Sequence, residues 1–361
     1  MTQFLLIGIG AGATTALLYA SLASGLGLSL TLHCLAPLPI MIVALGWSHW
    51  AGLIAAVTAA AMLAAAIGGV LGIFFFAAFL TSIGAPAWWL GYLALLGRPV
   101  ANNGAAQMEW YPPGRLVLWA AVLGAAVTAS ALAALGTDEA TIRQELKGAL
   151  DQILRVERVV QIRPVLGPQV GVPADAPQSL PDTQGPTATS PGAPVDSVED
   201  FDRAVDLLAH ALPPAAAVLA ALTQIGNLWL AGLVVRLSGR LRRPWPDLTA
   251  LSFPPLAVGA YGTCLAGLFL GGLPALVASL FAATLTMAFA MIGLAVVHTA
   301  TRDMRGRTVF LWGTYGAVFL LILPLTIVGV TETLFDLRGR MAKSGPPNRR
   351  GPPTNQPETD N

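Results

Sequence analysis

The stretch WAGLIAAVTAAAMLAAAIGGVLGIFFFAAFL (Trp50–Leu80) decides the fold: it carries one hydroxyl, Thr58, and no charged side chain. A helix needs about 20 apolar residues to cross the hydrocarbon core of a bilayer. The stretch therefore supplies one pass at Trp50–Ile67 and the start of another near Val70. The same character extends outward. No Asp, Glu, Lys or Arg precedes Arg98, so the first 97 residues carry only the imidazoles of His33 and His49 as candidate charges. Across 361 residues, 55% are apolar and 11% charged, with a mean hydropathy of +0.67; soluble domains average about 25% charged. The fold class is all-α, a polytopic helical membrane protein whose first partner is the lipid bilayer.

Working outward, the first span covers Gln3–Ser24. It lacks a basic leader and its apolar run exceeds that of a signal peptide, which remains the lesser alternative at "SLAS". Leu28–Trp47 reads as a second span interrupted by Pro37 and Pro39, and the fourth continues from Val70 towards Arg98, where Trp88, Trp89 and Tyr92 resemble an interfacial belt. Gly84 and Pro86 are expected to break that stretch. After a polar loop at Arg98–Arg115, a fifth span fills Leu116–Leu135, closing an N-terminal bundle over 1–136.

Residues 137–162 then show Ile142, Leu146, Leu150, Ile153, Val156 and Val160 at helical spacing, with Thr137 as the expected cap. The Pro/Gly-rich segment 163–196 is too poor in apolar residues to fold and reads as a disordered linker. The C-terminal region, 197–340, begins with a helix running through Pro213 and Pro214 to Val235. Spans follow at Phe253–Leu270, Pro274–Val297 and Val309–Val330, before a disordered tail, 341–361. The total is about nine.

Arginines in short loops orient the chain. Arg236, Arg240, Arg242 and Arg243 mark one cytoplasmic loop and Arg302, Arg305 and Arg307 another; the Arg98–Arg115 loop joins them, and the acid-rich insert from Thr137 to Asp206 lies outside. Arg338, Arg340, Lys343, Arg349 and Arg350 follow only one span after the second basic loop. Either the C-terminus is outside or SFPPLAVGAYGTCLAGLFLGGLP is partly re-entrant; the count of nine favours the former.

The chain lacks H-E-x-x-H, G-x-S-x-G and Walker motifs. His33, His49, His210 and His298 lie in separate segments, and Cys34 and Cys264 have no metal-type spacing. An enzyme, a metal site and a cofactor are not expected. The net charge of +1 predicts no nucleic-acid partner. Arg in excess of Lys, with much Ala and Gly, fits a bacterial inner membrane.

Three polar groups stand out. Gln224 and Asn227 share one helix face within a span, either as interhelical hydrogen-bonders worth about 0.6 kcal/mol each or as the lining of a solute cavity. Glu109, Trp110, Tyr111 and Arg115 crowd one loop, as interface anchors or as recognition groups. Glu332, Asp336, Arg338 and Arg340 form an ion-paired end to the last span. A fourth feature is apolar: Gly8, Gly12, Ala16, Ala20 and Ser24 make a small-residue stripe, a surface for close helix packing or for docking a partner.

The ordered pieces APLPIMIVALGW, GAPAWWLGYLALLGR, EWYPPGR and IVGVTETLFDLRGR resemble the YybS-like family of bacterial membrane proteins, over most of the chain except the linker and tail. That family has no established activity. Its first half is similar in layout to the substrate-capture components of energy-coupling-factor vitamin transporters. In those, a small-residue face of the first helix docks on a membrane-embedded coupling subunit; Gly12, Ala16 and Ala20 match it, while this chain has about three more spans and the long insert. The resemblance implies a transport-type component that captures an unidentified small solute and docks on another integral membrane protein. The alternative is a non-catalytic scaffold recruiting partners through the amphipathic helix and linker. Polar residues converging on an enclosed cavity would favour capture.

Overall fold

A computed structural model of the chain describes residues 2–25, 28–102, 105–136, 138–162, 195–302 and 304–344. The helices are α1 (Thr2–Ala20), α2 (Ser29–Cys34), α3 (Pro37–Gly46), α4 (His49–Ile67), α5 (Gly69–Phe79) and α6 (Ala85–Ala94), followed by strands β1 (Gly97–Asn102) and β2 (Ala105–Trp110). Then come α7 (Pro113–Leu135), α8 (Glu139–Ile162), α9 (Val195–Leu237), α10 (Leu256–Gly267), α11 (Gly272–Ala300), α12 (Arg307–Gly316), α13 (Val318–Phe335) and α14 (Leu337–Ser344). Among the described residues, 8 helical segments are long and apolar enough to cross a membrane. The chain is thus an all-α multi-pass membrane protein. The expected linker lies outside the described residues except for Val195 and Asp196, which open α9; the tail is described to Ser344.

Local chemistry sets the breaks. Pro39 has no N–H, so the α2–α3 junction tightens: Ala36 donates to the His33 carbonyl and Leu38 to that of Leu35, both at 3.0 Å. The α4–α5 turn needs two consecutive left-handed residues, supplied by Gly68 (φ 73°) and Gly69 (φ 59°). The break expected at Gly84 and Pro86 does not occur. A π turn at Leu80–Gly84 carries α5 into α6, and Pro86, which has no N–H to give, follows directly after this widened turn. The polar loop after α6 forms a hairpin, with Gly97 opposite Trp110 and Arg98 opposite Glu109. Asp138 caps α8, its Oδ1 accepting from the Thr141 N–H at 2.9 Å; Thr137, the expected cap, lies outside the described residues.

The small-residue stripe packs inward. A Cβ on Gly8 would stand 2.9 Å from the Ala51 carbonyl, and one on Gly12 2.6 Å from that of Ala55, so α1 lies backbone to backbone on α4. Ala16 is buried, but Ala20 and Ser24 are exposed, where the stripe ends. Of the two uses expected of the stripe, close helix packing is the one Gly8 and Gly12 make here. Large side chains of α1 such as Leu6 and Leu17 face outward instead.

The basic segments gather at one end of the molecule. Arg243 donates to the Ala94 and Tyr111 carbonyls, Gly114 lies on the backbone of Ser252, and Arg338 donates to the carbonyls of Thr249 and Leu251. At the opposite end, Gly272 lies near Glu139, and Leu132, Ile142 and Leu280 pack together. Phe253–Leu270, the segment expected as a ninth span, joins the two ends through the 12-residue α10 and a following turn.

Thr299 and Arg302, at the end of α11, line one cleft with Glu332, Thr333 and Asp336, at the end of α13. These two helices therefore finish on the same side, crossing where Gly293 lies against the Leu325 carbonyl, with no room for a Cβ. The chain between them runs through the 10-residue α12. This corrects the expectation of an outside C-terminus: the stretch expected as one span, Val309–Val330, is two helices, α12 and α13, separated at Ala317, so the chain leaves the basic end and returns to it, and Arg338 and Arg340 lie at the same end as the two basic loops.

Candidate functional site

The loop expected to recognise a ligand is held by itself. Glu109 pairs with Arg98 at 2.7 Å in an exposed bridge, and Trp110 faces Gly97 across the hairpin. Tyr111 anchors the hairpin to the bundle: its N–H donates to the Leu96 carbonyl at 2.8 Å, and its hydroxyl accepts from Trp119 Nε1 at 3.1 Å. Arg115 stands exposed on α7. Trp88, Trp89 and Tyr92 form a ring cluster with His49 and Trp119.

Gln224 and Asn227 are buried at 5% and 3% exposure. Asn227 Nδ2 donates to the Cys34 carbonyl at 2.8 Å. That carbonyl is one the α2–α3 break deprives of its helical donor, because the Leu38 N–H has moved to Leu35. Asn227 thus closes a defect made by proline. Among the described residues, Asn227 Oδ1 and Gln224 Oε1 have no partner, and neither residue lines the groove described below.

The terminal cluster is a staple. Glu332 Oε1 holds Arg338 Nε at 2.6 Å, with the side chains only 4% and 13% exposed respectively. Asp336 makes the sharp turn, with φ 47°. Arg340 lies over the Phe335 ring at 6.0 Å. The amphipathic helix is also occupied at its start. Ile142 is 1% exposed, Leu146 packs beside it, and Lys147 pairs with Asp206 of α9. Among the described residues, no three His, Cys, Asp or Glu side chains gather closely enough to hold a metal ion.

An apolar cavity lies between α7, α9 and the loop that follows α9. It measures about 400 Å³, and its walls include Leu116, Ile225, Trp229, Trp245, Leu248 and Met291. Gly226 and Gly232 of α9 leave open space on its wall. A Cβ on Gly226 would meet nothing within 4 Å, and one on Gly232 would touch only the Trp245 ring, at 3.6 Å. Trp229 and Leu248 stand 47% and 50% exposed on the groove. The single charged lining residue is Arg243. Burial pulls its pKa below the ordinary guanidinium value, yet an arginine stays protonated near neutrality.

Sequence reading missed this groove because an absent side chain leaves no apolar pattern. The available signal was RLSGRLRRPWP, in which arginines flank Trp245 without an acid among them. A second, polar cleft of about 490 Å³ lies between the ends of α11 and α13, around Asp247, Arg302 and Asp336. No family model, curated protein or solved structure matches the chain.

Proposed function

We propose that this protein is a non-enzymatic, transport-type membrane component, YybS-like in the order of its motifs, that captures an amphiphilic solute in the groove between α7 and α9. The bacterial inner membrane is its proposed home, with the basic end facing the cytoplasm. One observation carries the reading: the apolar groove of about 400 Å³ beside Gly226, a volume in the range of small-molecule sites. The apolar lining of this groove suits an amphiphile better than a purely hydrophilic solute, and Gln224, Asn227 and Glu109 line neither it nor the polar cleft. Any coupling partner would dock elsewhere than the Gly8–Gly12 face, which α4 covers.

The test is quenching of Trp229 and Trp245 by a brominated single-chain detergent. Gly226→Leu would fill the groove while raising helix propensity by about 1 kcal/mol, so folding is retained. The expected result is binding weakened by about 1.4 kcal/mol, tenfold in Kd. Equal quenching of the folded variant and the native protein would remove the groove as the site.

A further inference from the structure

The groove ends among positive charges that the bundle itself does not neutralise. Four of the eight residues from Arg236 to Arg243 are arginine. Among the described residues, none of the four has a carboxylate within ion-pair distance. Rings and carbonyls hold them instead. Arg236 lies 4.9 Å from the centre of the Trp245 ring and Arg240 4.4 Å from that of Trp47; Arg242 donates to the Trp47 carbonyl at 3.4 Å. Asp247, the next acid along the chain, commits its carboxylate to Thr249, accepting from its N–H at 2.9 Å and its hydroxyl at 2.7 Å. Cation–π and carbonyl contacts fix a guanidinium in place but leave its charge uncancelled.

Arg243 makes the pattern specific. Its two terminal nitrogens donate to Ala94 and Tyr111, at 2.9 and 3.5 Å, while its buried Nε has no acceptor among the described residues. A pinned guanidinium whose Nε–H has no acceptor among the described residues, on the wall of an apolar groove, lacks a hydrogen-bond acceptor carrying negative charge. The end of the bundle where this occurs is the basic end, which the distribution of arginines assigns to the cytoplasmic leaflet, the leaflet rich in anionic lipid.

We propose that the groove takes an anionic membrane lipid, with one acyl chain lying along α9 in the space left by Gly226 and Gly232 and its phosphate at Arg243. This rests on the amphiphile-capture reading and names its ligand class. Arg243 is the inner contact. Arg236 and Arg240, held on tryptophan faces, form the outer positive rim.

The experiment uses the full chain in lipid nanodiscs and reads quenching by dibrominated phosphatidylglycerol or dibrominated phosphatidylcholine at equal mole fraction. The Trp245→Phe variant identifies the groove signal. Phosphatidylglycerol is expected to quench Trp245 several-fold more effectively, and Arg243→Gln to equalise the two lipids. Because Arg243 also ties the loop to Ala94 and Tyr111, Arg236→Gln/Arg240→Gln provides a second variant that spares those bonds; it is expected to reduce the preference. Inorganic phosphate, at matched ionic strength, is expected to leave the preference intact. If phosphate abolishes it, the arginines form a free-anion site and the lipid assignment fails. Equal quenching by both lipids in the native protein means ordinary annular lipid, which overturns the anionic preference but leaves amphiphile capture standing. Absence of Trp245 quenching by either lipid overturns both.

Discussion

At the scale of single residues, buried polar groups repair backbone defects or hold one another, and their removal has a direction. Glu332 and Arg338 form a buried pair that ties the end of α13 to the Thr249 and Leu251 carbonyls. Removing one partner from such a pair costs about 3–5 kcal/mol, because the other charge is left behind; replacing both by apolar groups costs far less. Glu332→Ala is therefore expected to lower the thermal unfolding midpoint in detergent sharply, and Glu332→Ala/Arg338→Met to recover most of the loss. If the double variant is as unstable as the single, the staple works through the carbonyl bonds of Arg338 instead. The sequence displayed this pair plainly. It also displayed Gln224 and Asn227 as a shared face, but not the purpose of Asn227. The Cys34 carbonyl it reaches is 193 positions away and is free only because proline disturbs α2–α3.

At the scale of elements, glycine decides which helices meet. Gly12 and Gly10 share α1 but differ in surroundings: a Cβ at Gly12 would stand 2.6 Å from the Ala55 carbonyl, and one at Gly10 would meet nothing within 4 Å. Gly12→Leu is expected to destabilise by several kcal/mol, since overpacking here moves backbone, beyond the roughly 1–3 kcal/mol typical of side-chain overpacking. Gly10→Leu should be neutral or slightly stabilising. Thermal melts of the two variants check this; equal, small effects would mean that the stripe is free for an external partner. The spans were legible because charge vanishes from them and the apolar runs have membrane length. The π turn at Leu80–Gly84 and the hairpin at Gly97–Trp110 were not. Both depend on tertiary support that a Gly–Pro signal or a polar loop does not reveal.

At the scale of the whole molecule, one short helix accounts for the orientation puzzle. α10 and α11 carry the chain away from the basic end and back, and α12 with α13 does so again where one span was expected, so the Arg243, Arg302 and Arg338 regions share one end. The sequence contained this conflict in its arginines but could not resolve it, because a short helix bordered by Gly and Pro counts equally as a span or as a loop. With Cys34 and Cys264 replaced, cysteines introduced at Arg305 and Lys343 are expected to react with an impermeant thiol reagent from one face of sealed vesicles, and one at Gln144 from the other. Labelling of Lys343 with Gln144 would refute the arrangement.

The groove belongs to this scale too, since it needs α7, α9 and the returning loop together. The most direct measurement is a cryo-electron microscopy map of the full chain in nanodiscs containing anionic lipid. Elongated density beside Gly226, passing Trp229 and Trp245 and ending at Arg243, is the predicted result. A loop closed onto α9, with the Trp245 ring filling the space above Gly226, would contradict the account.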